Sequence, residues 1–264
     1  MIDAQLTSID AGMIKRRAHD IVRLITDLRQ EMGLKAAIDA VTERFVDNEE
    51  HPELRRLGEV LALARRQAVI QNQLDDDREA LHSGYLNHEE RTERGHHYEM
   101  LRHQACSYNH LLRGLIESCG HYFSHHELMD WLTTASLGRA DWAQAEIRGS
   151  VSEIALHAAL QGIPEIKGMR YATVEEDLIG YDFIGTWEGS LLTVDAKTGF
   201  YQPLMERKHG HRHLEISVPR EVIKDLQVNQ RGLALLRKEI RDVLAPAEIS
   251  EYHAPKHFMK HARA

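Results

Sequence analysis

The chain has 264 residues, enough for one large domain or two modest ones with a substantial core, and its 42% hydrophobic and 28% charged content excludes wholesale disorder. No apolar run approaches the ~20 residues a membrane span needs, and MIDAQLTSIDAGMIKRR lacks the basic-then-apolar pattern of a secretory leader. The net charge of −8 argues against a protein that coats nucleic acid by bulk attraction.

In chain order, Met13, Ile14, Ile21, Val22, Leu24, Ile25 and Leu28 recur at helical spacing before Gly33. Ala36, Ala37, Ile38, Val41 and Phe45 mark a second helix, and Pro52 opens a third that runs to about Gln73. Asp75, Asp76 and Asp77 read as the N-terminal start of the next element, and a long helix fits Asn87 to Cys119. Ser124 caps a helix from His125 through Trp131 to Leu137. The texture then changes. A helix over Ala140 to Gln161 stops at Gly162-Ile163-Pro164 and is followed by three strand-like segments, Lys167–Thr173, Tyr181–Trp187 and Ser190–Lys197. After a loop or short helix, His213–Val218 reads as a further strand, and a helix or helix pair covers Arg220 to Leu244. The expected organisation is α+β: a helical domain over 1–138, a mixed α/β unit over 139–250, and a tail over 251–264.

Charge is unevenly spread along this organisation: −7 over residues 1–150, −5 over 151–194 and +4 over 195–264. An acidic middle before a basic end suits cation-dependent phosphate chemistry. The most informative stretch lies in that middle, Tyr181 to Lys197. Glu188-Gly189 is a good two-residue turn, which pairs Trp187 with Ser190 and Phe183 with Val194, and sets Asp182 across from Asp195. Like charges in directly opposed positions are destabilising. Lys197, two residues beyond Asp195, shares its face. Two carboxylates and an ammonium group on one patch suit a hard divalent cation such as Mg²⁺, which takes a few carboxylate oxygens and leaves room for phosphate. The plain alternative is a solvated sheet edge on which Lys197 neutralises Asp195.

The preceding helix weighs on that choice. Val151 to Leu160 is apolar nearly all round, and Glu153 is its only charged residue. A buried carboxylate has to be paired, protonated or bound to a cation. Glu153 therefore either reaches the hairpin patch or pairs with His157, four residues on.

A glutamate on a first helix, an aspartate at the start of a strand and Asp-x-Lys on the next strand together resemble the PD-(D/E)XK nuclease superfamily, over residues 140–245. The resemblance implies a restriction-endonuclease-like αβββαβ core with a mixed central sheet. It matches Glu153 to the helix carboxylate, Asp182 to the motif aspartate, Asp195 to the second acidic ligand and Lys197 to the catalytic lysine. Tyr181 stands where the family motif has proline, and Asp177 is a rival for the motif aspartate. The implied activity is Mg²⁺- or Mn²⁺-dependent hydrolysis of phosphodiesters, in DNA rather than RNA, most simply as an endonuclease. Asp182, Asp195 and the carbonyl of Ala196 would hold the metal, with Glu153 reaching it or a second ion. Gln202, after Tyr201, is the candidate for the polar residue that many members add. The alternative in a different class is a binding module on the same fold without hydrolysis. A third is an all-helical interaction protein with the hairpin as a minor addition. The helical half has no assigned role; homodimerisation or docking of a partner protein are its two expectations.

The 18 histidines invite a transition-metal reading. His209, His211 and His213 alternate, and His253, His257 and His261 have helical spacing, but neither set carries a carboxylate or thiolate at a telling interval. Cys106 and Cys119, thirteen apart, read as buried core thiols, and the cytoplasm is the expected compartment. Arg55, Arg56, Arg65 and Arg66 read as solvated charges, and Arg207, Lys208, Arg212, Arg220 and Lys224 as candidates for phosphate contacts.

Overall fold

The computed structural model describes residues 9–28, 33–47, 49–197, 204–208 and 210–245. Five helices come first: α1 (Ala11–Leu28), α2 (Leu34–Phe45), α3 (Pro52–His82), α4 (His88–Cys119) and α5 (His125–Ala135). They enclose one apolar core that includes Ile14, Ile21, Leu57, Leu61, Leu112, Leu115, Leu128 and Trp131. No described helix is long and apolar enough to cross a membrane.

α3 departs from expectation. Asp75, Asp76 and Asp77 lie inside it and do not open a new element. Asp75 pairs with Arg78 one turn on and Asp77 with Arg94 and His97 of α4, and the helix runs on to His82, two residues before Gly84, which adopts φ +73°. α4 then starts on a capping box between Asn87 and Glu90, and α5 on another between Ser124 and Glu127. α3 and α4 form a long antiparallel hairpin whose outer part is packed by a small cluster of Ile70, Leu74 and Leu101.

The second half follows on α6 (Ala140–Gln161), which serves both halves. Its Trp142, Ala143, Ile147 and Val151 belong to the helical core, whereas Ala155, Leu156, Ala159 and Leu160 cover the sheet. The remaining elements are β1 (Ile166–Tyr171), α7 (Val174–Leu178), β2 (Phe183–Trp187), β3 (Ser190–Lys197), β4 (Leu204–Lys208) and β5 (His211–Ser217). A 3-10 turn (Arg220–Val222), the short ribbon β6 (Ile223–Lys224) and β7 (Gln227–Val228), and α8 (Gln230–Leu244) complete the described chain. The five-stranded sheet has the order β1-β2-β3-β5-β4; β3 and β5 run parallel and every other neighbouring pair is antiparallel. The protein is therefore α+β, with a mixed sheet behind a helical region. That sheet removes the all-helical alternative.

Two expectations about the sheet region are corrected. Where a loop or short helix was expected before the last strand, Leu204–Lys208 forms an edge strand; Gly210 (φ +86°) turns it back so that Met205 pairs with Leu214. Helix also begins later than Arg220. Pro219 starts a 3-10 turn, Asp225 (φ +59°) turns the small ribbon, and only Asn229, capping Arg231 N–H, opens α8. The order is thus αβββ, then two strands, then helix, and the second helix follows the parallel strand where αβββαβ places it before. α8 still packs on the same face as α6: Leu233, Leu236, Ile240 and Leu244 recur on one stripe and bury against Phe183, Val194, Leu214 and Ile216. Each such side chain stabilises the fold by about 1.5–3 kcal/mol relative to leaving it in water.

Candidate metal centre

The β2–β3 hairpin sets the geometry. Glu188 (φ +50°) and Gly189 (φ +75°) form its turn, and Trp187 pairs with Ser190 and Phe183 with Val194, the register read from the sequence. Alternation turns Leu192 and Val194 into the core beneath α6 and α8 and leaves Thr193, Asp195 and Lys197 on the opposite face. Asp182 stands one residue before β2. Its N–H donates to Val194 O (2.9 Å) and its carbonyl accepts from Ala172 N–H (2.9 Å), which fixes its backbone between β1 and β3. The Ala196 N–H donates to the Asp182 carboxylate.

Lys197 pairs with Asp195 and lies 3.6 Å from Glu215 Oε1. Glu215 comes from β5, opposite Asp195 in the parallel register, and Thr193 stands opposite His213 in the same way. His213 is fully buried. Its Nδ1 lies 2.8 Å from Thr193 Oγ1, and its Nε2 has no hydrogen-bond partner among the described residues, 3.9 Å from Glu215 Oε1. Asp195, His213 and Glu215 each bring one donor atom within 4.8 Å of the others.

Glu153 does not pair with His157. That ring stacks on Phe183 (5.8 Å between centroids, 9° between planes) and packs against Tyr171, while its Nε2 lies 3.2 Å from Gln161 Nε2. Glu153 pairs with Arg113 of α4, whose guanidinium lies 3.9 Å from the centre of the Tyr171 ring. A cation from the helical half thus reaches the carboxylate that α6 aims toward the hairpin. The electrostatics show which groups converge. Burial pushes the Asp182 carboxyl well above its ordinary range, and the charges of Glu153, Asp195 and Asp177 raise it further against the single Ala196 N–H. Burial also raises Glu153; Arg113 opposes this and Asp177 adds to it. Burial depresses Lys197, but the charges of Asp195 and Glu215 outweigh it and raise its pKa.

Asp182 is thus linked to Ala196 by a hydrogen bond and feels the charges of Asp195 and Glu153, and Lys197 pairs with Asp195. The donor atoms that close to within 4.8 Å of one another are those of Asp195, His213 and Glu215, without Asp182 or Glu153. Gln202 lies outside the described residues, as do His209 and the histidines of the 251–264 tail. Asp177 is close enough to raise Asp182, but its carboxylate faces α4, 3.0 Å from His110 Nε2. Glu215, the place of His213 beside it (the sequence grouped that ring with His209 and His211), and Arg113 are additions that sequence reasoning missed. The first two depend on which strand pairs with β3. The one available signal was His213-x-Glu215, an alternation that puts imidazole and carboxylate on one strand face. A cleft of about 400 Å³ between α3, α4 and α6 ends at Glu153, but none of Asp182, Asp195 or Lys197 lines it.

What the arrangement can do follows from its donors. It is rich in carboxylate oxygen, with Lys197 and Arg113 each already committed to an acid. A group of this kind favours either protons or a hard divalent cation. Comparison with known proteins finds no matching family model, no matching curated protein and no matching solved structure.

Proposed function

We propose that the chain is a divalent-metal-dependent nuclease, built on a restriction-endonuclease-like core and hydrolysing phosphodiester bonds, in DNA rather than RNA. The observation that carries this reading is that one half-buried aspartate, Asp182, feels the charges of Glu153 from the preceding helix and Asp195 from the paired strand, with Lys197 beside Asp195. The donor set fits Mg²⁺ or Mn²⁺. Asp182 and Asp195 with the Ala196 carbonyl would hold the ion, and Glu215, whose donor oxygen lies within 4.8 Å of that of Asp195, would extend the set. A bound ion supplies positive charge at the scissile phosphate and polarises it. The remaining roles fall to the chain itself. Lys197 orients the attacking water and offers its ammonium to a phosphate oxygen. Arg113 fixes Glu153 against the Tyr171 ring, and the Ala196 N–H holds one Asp182 oxygen in place.

The engagement of Lys197 by both Asp195 and Glu215 favours a second reading, a nucleic-acid-binding module on the same fold without turnover. Labelled DNA and RNA substrates incubated with Mg²⁺, Mn²⁺ or EDTA separate the two. The nuclease reading expects metal-dependent cleavage by the wild type and none by Lys197→Ala. Binding unaffected by metal, with no cleavage of any substrate, replaces it with the second.

A further inference from the structure

A second cluster of metal-ligating side chains lies where the helical half meets α7. Cys106 and His110 are four residues apart on α4 and share one face, and Asp177 projects toward them from α7. Cys106 Sγ lies 3.0 Å from Asp177 Oδ2, His110 Nε2 lies 3.0 Å from the same oxygen, and sulfur and nitrogen are 3.7 Å apart. A tetrahedral zinc ion with ordinary bond lengths holds its sulfur, nitrogen and oxygen donors roughly 3.3–3.6 Å from one another. The three atoms thus already stand within about half an ångström of that spacing, by the same geometry.

We propose that Cys106, His110 and Asp177 form a binding site for a borderline-soft divalent transition metal of the zinc class, with a fourth position left to water. A thiolate, a carboxylate and a neutral imidazole balance the charge of such an ion, and sulfur plus imidazole separate it from the oxygen chemistry of the hairpin site. On binding, the Cys106 S–H bond breaks, the sulfur–metal bond forms and the proton passes to solvent. Burial and the Asp177 carboxylate both push the Cys106 thiol up, so that a metal has to displace a proton that the thiol shares with Asp177. The ion would pin α7 to α4 beside a bond already present, from Arg102 Nη2 to Leu178 O (2.8 Å). Asp177 lies five residues before Asp182, so this pin sets the entry of the chain into β2. The site itself does not depend on the nuclease reading.

Titration of the full-length chain with Co²⁺ tests it. The wild type is expected to take up one equivalent with a sulfur-to-cobalt charge-transfer absorption. Asp195, His213 and Glu215 contain no sulfur and cannot produce that band. Cys106→Ser is expected to lose it, while Cys119→Ser and Lys197→Ala keep it. His110→Gln guards against a serine variant that fails to fold, and is expected to weaken or abolish the band in a chain whose circular dichroism matches wild type. A wild type that never shows the band, or a band that survives Cys106→Ser, overturns the proposal and leaves a hydrogen-bonded triad. Loss of nuclease activity alone has no bearing on it.

Discussion

Asp77 in the helical half and Asp182 at the edge of the sheet are both largely buried, and the fold treats them in opposite ways. Asp77 is 7% exposed and carries two partners from α4, Arg94 at 3.0 Å and His97 at 2.6 Å. Asp182 has one backbone N–H and, among the described residues, no cationic side chain within ion-pair distance; three other carboxylates raise its pKa. The first is a charge neutralised within the fold. The second is a charge whose compensation must come from a proton or from a cation outside the chain. Glu153 stands between the two cases. It belongs to the sheet-side cluster, but its partner Arg113 is supplied by the helical half.

The largest expected effect separates the two aspartates by activity. Lys197→Ala and Asp182→Asn should each lower metal-dependent cleavage by about 10²–10³-fold or more, while Asp77→Asn leaves the rate unchanged; steady-state cleavage assays read both. Next comes the bridge between the halves. Arg113→Met strands Glu153 in a buried position and should destabilise the fold by about 3–5 kcal/mol in denaturant titrations. Adding Glu153→Gln to it should recover a substantial part. Third, Asp77→Asn should lower stability by about 1–3 kcal/mol through two lost charge-assisted bonds. Asp182→Asn should do the reverse at neutral pH. Its native carboxyl titrates above the ordinary range, so the folded state holds a proton that the unfolded chain has lost, and stability falls as pH rises through that window. The asparagine removes the slope. Saturating Mg²⁺ should raise the melting temperature of the wild type and not that of Asp182→Asn.

The smallest effect concerns Glu146, which lines the cleft beside Glu153. Burial, reinforced by the Glu153 charge, pushes it up to about 7 from its ordinary 4.5. The native state therefore retains a proton between those values, and the penalty for ionising it is complete only above the upper one. Glu146→Gln should be more stable than wild type at pH 8 by on the order of 1–3 kcal/mol, and no more stable at pH 4.

Much of the hairpin was legible because its determinants are local. Glu188-Gly189 fixes the turn, strict alternation fixes the faces, and together they predict which residues oppose which. Glu153 could be singled out because a lone charge on an all-apolar helix needs a partner, but the sequence offered only His157 or the hairpin patch. The true partner, Arg113, lies forty residues earlier on α4. Glu215 and His213 were out of reach for a related reason. Their place beside Asp195 and Thr193 follows from parallel pairing of β3 with β5, a choice that no neighbouring residue encodes. The Asp75–Asp77 run was misread because acids favour helix starts, and nothing nearby in sequence announces that α4 supplies cations to hold one of them mid-helix.

The α3–α4 hairpin has a practical consequence. Helices of 31 and 32 residues are each about 47 Å long at the usual rise per residue, so the bend between them lies far from the other ends of the pair. Tyr85 at that bend is 93% exposed, and its neighbours Ser83, Gly84 and Leu86 make no part of either core. Extra sequence spliced in there would extend into water without straining anything that holds the carboxylates, which makes the bend the natural point for attaching a fluorophore or a purification handle to the folded chain.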